Sequence, residues 1–569
     1  MSPALSSRLL RRLALVGLLK FGQLGLSAQA APDAGTILRQ IERSFPAPTL
    51  PEVGPPVPVP SAEMPKGAGK TIVVSRFEFE GAEAVSTEEL SVALRGYLGR
   101  PLTLEELRNA AAQVALAYRA KGLLASASIA RQEVQGGVVK VSVAESRFGM
   151  AELDPSSDGR AKAGLLERIV RQNVASGQIV NTYDVDRALL LMNDLPGASI
   201  QGALRAGEFK GTTDLVLVSS ARPLVVGSVL ADNAGARSTG EARAVFNATV
   251  DQPRGDGEQF AADLLHTDGS DYARLGYSMP APWSGSRLSF SASAMSYQLV
   301  SSDYVSAAVS GTSSTLSADL TLPLLRSRSA NLYASCGLAG RWFANRAAGS
   351  LTSDYVSQTL ECGLNGNLYD GFAGGGVSTG SLSVNLGRVD LAGSPNFAAD
   401  LGGPRVDGWF GKVSLGLGRT QQVGRDYSLA LNVRGQAAFH NLDSSEKFFL
   451  GGNNGLRAYP TSEGGGDLGM LSSLELRTNL TPRTQGTLFL DQGWVAQNYD
   501  PDYAGGPTDN GLTYRGWGLG LSQRFDSGVK LSLQWSRRIG DNPRPSSSGT
   551  DQDGSLRIDR FWASASFNF

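Results

Sequence analysis

The sequence predicts a mainly β protein, with a 16-stranded transmembrane β-barrel preceded by two α+β modules and a short N-terminal helix. Three observations carry this. The chain ends on Phe561-Trp562-Ala563-Ser564-Ala565-Ser566-Phe567-Asn568-Phe569, where Phe561, Ala563, Ala565, Phe567 and Phe569 form one apolar row and the intervening residues a mostly polar one. Side chains alternate along a strand, so one face suits lipid and the other a polar interior; a soluble sandwich strand is the bland reading. Beyond Arg222 there are sixteen candidate strands separated by turn residues and no convincing helix. Past the N-terminus no apolar run reaches 18 residues, so membrane-spanning helices are not expected, while barrel strands stay open.

The 569 residues include 69 glycines and only 18% charged residues, which suits many short strands and turns. A net charge of −1 gives no general attraction to nucleic acid. Two His and two Cys leave almost no raw material for a metal cluster or a His-based catalytic centre. No nucleophile motif or phosphate loop is visible, so no catalytic, cofactor-binding or metal-binding residue is assigned and no enzyme is expected.

Residues 1–30 read as a signal peptide. Arg8, Arg11 and Arg12 precede an apolar run over 13–26, and Ala28-Gln29-Ala30 gives the small-x-small cleavage pattern. Lys20 interrupts that run, and an uncleaved anchor is the alternative. Residues 31–45 predict a short helix with Ala34, Ile37, Leu38 and Ile41 on one face and Asp33 as its cap. Residues 46–69 are Pro-rich and predict an extended spacer. A short helix on an extended tether suits delivery to a distant place; a disordered N-terminus fits the same residues.

Residues 70–146 and 147–221 predict tandem β-α-α-β-β modules. The first has a strand over 71–79, a helix from Ser86 with a capping-box pattern to Glu89, and a helix over 104–121 stopped by Gly122. Strands over 125–132 and 138–145 follow, joined by Gly136-Gly137. The second repeats the order, with strands over 147–153, 199–206 and 214–220 and helices over 161–175 and 183–194. Residues 222–569 form the barrel, where short turns such as 481–484 largely interleave with long loops such as 441–467 and 541–557. That interleaving fits periplasmic turns and external loops. A β-propeller would show blade repeats, and none is present.

Barrel alternation also places the two cysteines. Leu332, Ala334, Cys336 and Leu338 share one apolar row, and Leu360, Cys362, Leu364 and Leu368 the next. A turn near Gly349 sets Cys336 almost opposite Cys362 on the lipid side, either as a disulfide or as two free thiols.

The chain resembles the two-partner secretion outer-membrane transporters, the TpsB family, whose members carry periplasmic POTRA modules before a barrel. The first module's Ala117-Tyr118-Arg119-Ala120-Lys121-Gly122 and Val141-Ser142-Val143-Ala144-Glu145 resemble the family's first POTRA. In the second, Arg187-Ala188-Leu189-Leu190-Leu191-Met192-Asn193-Asp194-Leu195-Pro196-Gly197 closely matches the second POTRA helix and its stop. Asp232-Asn233-Ala234-Gly235, with Thr239-Gly240 and Arg243, resembles the start of the barrel. In the longest external loop, Leu456-Arg457-Ala458-Tyr459 resembles the motif Val-Arg-Gly-Tyr or Phe, and a later strand carries the partner motif as Phe489-Leu490-Asp491-Gln492-Gly493.

The resemblance implies that this loop folds back into the barrel, where Arg457 needs an acceptor and a bidentate pair with Asp491 supplies one. Ala458 departs from the usual Gly, so a positive φ there would be strained. A solvated surface arginine is the alternative for Arg457. It also implies an outer-membrane location with POTRA domains in the periplasm, and a helix over 34–43 that plugs the pore. The expected function is secretion of an unfolded partner exoprotein bearing an N-terminal secretion domain. Further expected partners are outer-membrane lipid and, during biogenesis, the barrel-assembly machinery and periplasmic chaperones; no nucleic acid and no cofactor is expected. Phe561, Phe567 and Phe569 form the C-terminal barrel signal. The runner-up is a barrel-assembly insertase of the same superfamily, which usually carries more POTRA modules; a diffusion porin would lack them.

Overall fold

The computed structural model describes residues 31–45, 71–461, 463–546 and 548–569. The expected signal peptide, 1–30, and Pro-rich spacer, 46–69, lie outside the described residues.

The first module is a three-stranded sheet with Arg76–Glu80 parallel to the central Val138–Glu145, and Ala125–Ser128 antiparallel on its other side. Helices Thr87–Ala93 and Leu104–Ala120 cover one face through Leu90, Leu107, Val114 and Tyr118. The expected single strand over 71–79 is broken, because Ile72–Val73 leaves to pair with Pro101–Leu102. The reciprocal capping box belongs to the second helix, where Thr103 accepts from Glu106 N and Glu106 accepts from Thr103 N. At the first, Ser86 accepts from Glu89 N.

The second module repeats this arrangement. Arg147–Leu153 runs parallel to central Thr212–Ser219, with Ile200–Ala206 as the other edge. Helices Ala163–Asn173 and Thr182–Asn193 bury Leu166, Ile169, Leu189 and Met192. The two modules join through the backbone: Leu124 N donates to Val180 O, Val180 N to Ser146 O and Thr182 N to Gly122 O.

Sixteen antiparallel strands then close into a barrel from Val225–Asp232 to Asp559–Asn568. Leucines on the outward row, among them Leu275, Leu338, Leu360 and Leu533, are exposed to the surroundings, as a wall in lipid requires. Closure rests on five register pairs, Ser564–Asp232 to Asn568–Ser228, extended by Gly227 and Phe569 exchanging two backbone bonds. Above that seam the Asn233 side chain substitutes for a strand, donating to Phe561 O and accepting from Ala563 N. One expectation fails here: the loop after Asp390 contains a short helix, Phe397–Gly402. Its Asp400 accepts from the N–H groups of Val406 and Asp407, which local residue patterning does not reveal.

The second module is clasped to the short turns at one end of the barrel. Arg326 forms a bidentate pair with Asp194 at 2.8 Å per bond, and Arg328 one with Asp186 at 2.5 and 2.6 Å. Gln172 and Asn173 add bonds to Pro282 O and Ser284 Oγ.

Helix Ala34–Glu42 lies inside the barrel. Asp33 caps it by accepting from Thr36 N, and its apolar face packs on inward-row residues Tyr272, Met295, Phe343, Tyr355 and Phe410. Ala34 N donates to Asn345 Oδ1 at 2.8 Å, and Ser444 Oγ donates to Asp33 at 2.8 Å.

Candidate functional site: the loop held inside the barrel

The connection 439–467 turns back into the lumen and is fastened at three levels. Its descending segment carries Glu446, which receives Lys412 at 2.7 Å and Arg341 at 2.9 Å from two different strands. Glu446 and Lys412 are shielded from water, and Arg341 is partly so. An isolated buried charge is costly, so three complementary ones fix the segment's position.

The central fastening is Arg457. Its Nε donates to Asp491 Oδ2 at 2.9 Å and its Nη2 to Oδ1 at 2.7 Å, the fork geometry that suits a carboxylate. Asp491 is fully buried, and Arg457 N also donates to its Oδ2. The remaining guanidinium donors reach Glu475 Oε1 and Ser473 Oγ, both at 2.8 Å. The flat cation stacks 3.5 Å above the Phe489 ring centroid. From the last two strands, Val529–Arg538 and Asp559–Asn568, Ser536 Oγ and Trp562 Nε1 donate to Arg457 O at 2.6 and 2.8 Å. One residue therefore ties the loop to both ends of the barrel's last strand group.

Its neighbours fill the space around it. Leu456, Ala458 and Tyr459 are almost wholly buried, with Tyr459 edge-on to Tyr514 at 5.0 Å. Ala458 has no positive φ, so an L residue fits without strain. Gly493 faces Leu450 at a distance that a side chain would violate.

At the outer end, Glu463 accepts from Asn542 Nδ2 at 3.0 Å and Gln552 N at 2.9 Å, which joins this loop to the loop 539–558. Burial pushes its carboxyl up to about 7, against those two donors. Asp551 accepts from both Arg538 and Arg560 beneath it.

Of the residues picked from sequence, Leu456, Arg457, Ala458, Tyr459, Phe489, Asp491 and Gly493 meet at this one site. Phe561, Phe567 and Phe569 point outward along the closing strand, and Phe569 stacks on Phe246. Cys336 and Cys362 are direct register partners on the outer wall, Cα–Cα 4.1 Å, joined as a disulfide. Sequence reasoning missed Glu475, Ser473, Ser536 and Trp562 as ligands of the loop arginine. The available signal was parity: each lies on the inward row of its strand, and Glu475 is a charge facing a lumen.

Comparison with known proteins agrees with this architecture. Residues 211–523 match the family model described as haemolysin secretion/activation protein ShlB/FhaC/HecB. Residues 72–146 match a POTRA domain of the ShlB type. The heme/hemopexin transporter protein HuxB of Haemophilus influenzae (strain 86-028NP) is 24% identical over 539 residues, 90% of this chain and 93% of that protein. The outer membrane transporter CdiB of Dickeya dadantii is 22% identical over 400 residues, 69% of each chain. The solved structure of CdiB from Escherichia coli superposes with a TM-score of 0.71 at 18% identity, over 95% of this chain and 100% of that one. The chain belongs to the ShlB/FhaC/HecB family of haemolysin secretion/activation proteins and is an outer-membrane transporter of the two-partner secretion type.

Proposed function

We propose that the chain exports one unfolded exoprotein from periplasm to cell exterior through the barrel lumen, with the helix Ala34–Glu42 as a removable plug and the Arg457–Asp491 pair as the lock that holds the loop. The observation that carries this reading is the plug itself, a short capped helix seated in the lumen among inward-row side chains. Residues 70–146 act as POTRA 1, 147–221 as POTRA 2 and 222–569 as the barrel.

Ile200–Ala206 is an edge strand, and an extended client adds to such an edge by backbone hydrogen bonds. The clasp of Asp194 and Asp186 on Arg326 and Arg328 keeps that edge in fixed relation to the periplasmic mouth. The client carries an N-terminal secretion domain; the protein performs no catalysis and uses no cofactor. Membrane lipid, the barrel-assembly machinery and periplasmic chaperones serve its biogenesis.

Deleting residues 33–44 tests the plug: single-channel conductance should rise in planar bilayers, and an unchanged conductance defeats it. Deleting the gene separates export from barrel assembly. Loss of one secreted protein supports export, whereas general loss of outer-membrane barrels supports the insertase.

A further inference from the structure

Three guanidinium groups converge between the plug and the wall, and none has a carboxylate partner among the described residues. Arg39 and Arg43 project from the helix end and Arg434 from the inward row of Tyr427–Ala438. With Ser381, Ser383 and Ser414 they line a cavity of about 310 Å³. Arg434 and Ser381 also line the larger lumenal cavity of about 1180 Å³, so solutes reach the site from the lumen.

Two of the donors there are unspent. Arg43 Nη1 and Arg39 Nε are shut off from solvent and have no acceptor among the described residues. Arg434 Nη2 has one, the carbonyl of Asn454 at 2.6 Å. Glu42 lines the cavity yet forms no ion pair among the described residues, and Glu446, the other carboxylate near Arg39, is taken by Lys412 and Arg341. Burial first, then Arg434 and Arg39, pull the Arg43 guanidinium down to about 9. Other inward arginines contrast with this, since Arg457 meets Asp491 and Arg243 meets Asp232.

We propose that Arg39, Arg43 and Arg434 form an oxyanion site that ties the plug helix to the barrel wall. Like charges enclosed together repel, and an anion with several oxygens relieves the repulsion while accepting from the idle N–H groups. The wall serines supply hydroxyl donors to the same ligand. Inorganic phosphate is one source of this chemistry, and a Glu or Asp side chain of a passing polypeptide is the other. In the second case an acidic segment of the client, on taking the site, sits against the plug itself. Anion binding stands without the gating reading; only its effect on opening rests on the helix being a plug.

The test uses the purified full-length protein at constant pH and ionic strength, with phosphate replacing chloride. Phosphate should raise the thermal midpoint in detergent and lower the frequency of plug opening in bilayers by about threefold or more, as binding to the closed state alone requires. Arg43→Gln and Arg434→Gln should each abolish both responses, while Arg434→Lys retains part of them. A chloride-matched Glu-rich peptide that produces the same effects assigns the site to carboxylates. A thermal shift with unchanged opening retains the site and counts against the plug reading. No phosphate or peptide response in the wild type, or responses intact in Arg43→Gln, overturns the proposal.

Discussion

Gly516 lies directly behind Ala458: a Cβ added to Gly516 would fall 2.4 Å from that of Ala458. The two positions therefore share one methyl group's worth of room between the loop and the strand Gly511–Arg524. Gly516→Ala should overpack this contact at about 1–3 kcal/mol, and Ala458→Gly in the same chain should restore much of it. The measurement is the thermal midpoint of the detergent-solubilised barrel for both single variants and the double. A Gly516→Ala variant as stable as wild type contradicts the packing described here.

Removing either half of the central lock leaves a buried charge without its partner. Arg457→Ala and Asp491→Ala should each cost about 3–5 kcal/mol at this site and sharply reduce secretion of the partner protein. Exchanging the two residues should not restore it. An Asp at 457 would face Glu475, which now accepts from Arg457 at 2.8 Å. Secreted protein in the medium, normalised to barrel abundance, is the readout; full secretion by both single variants removes the lock's role.

Acid should loosen the first module through Glu145. Its carboxylate accepts from Glu83 N, Ala84 N and Tyr118 Oη, each at 2.7 Å. Burial pushes this carboxyl up, but the three donors and Arg147 outweigh burial and set it below the ordinary carboxylate range. A depressed folded-state pKa adds stability above the unfolded value of about 4.3, and that stability fades as pH falls through the folded value. Amide protection in peptides covering 138–145, taken relative to the intrinsic exchange rate at each pH, should fall on acidification below that range and change little between neutral pH and about 5. Tyr118→Phe, which deletes one donor, should lower local stability by about 1 kcal/mol and move the acid transition upward.

Cys336 and Cys362 should resist alkylation in the denatured, unreduced protein and both react after reduction. Mass spectrometry of the labelled peptides reads this directly. Two labelled cysteines without reductant would establish free thiols.

The barrel was legible because its wall obeys one rule, alternate residues to lipid, repeated sixteen times. Leu338 and Leu360 fall outward, whereas Phe343 and Tyr355, also large and apolar, fall inward against the plug. Composition cannot distinguish those two aromatic residues from lipid-facing ones; only parity does. The loop arginine and its carboxylate were readable from motif spacing, since residue type and local flanks identify both. Their other ligands were not, because Ser473, Ser536 and Trp562 come from three strands whose register is fixed only when the barrel closes. The clasp residues Asp186 and Asp194 were hidden for the same reason, with their arginines 142 and 132 positions away, respectively. The break after Val73 was hidden too, because its cause is a two-residue pairing with Pro101–Leu102.

The wall's final joint unites residues near 230 with the last residues of the chain. A polypeptide lacking residues 564–568 cannot make it, so a nascent molecule stays an unsealed ribbon until those residues arrive. Such distant partners meet late, after hairpins between adjacent strands have already formed. Phe569, whose N–H and carbonyl both bond to Gly227, then acts as the bottom tooth of the zip. Removing residues 564–569 should thus spare most of the hairpins while forfeiting the sealed tube.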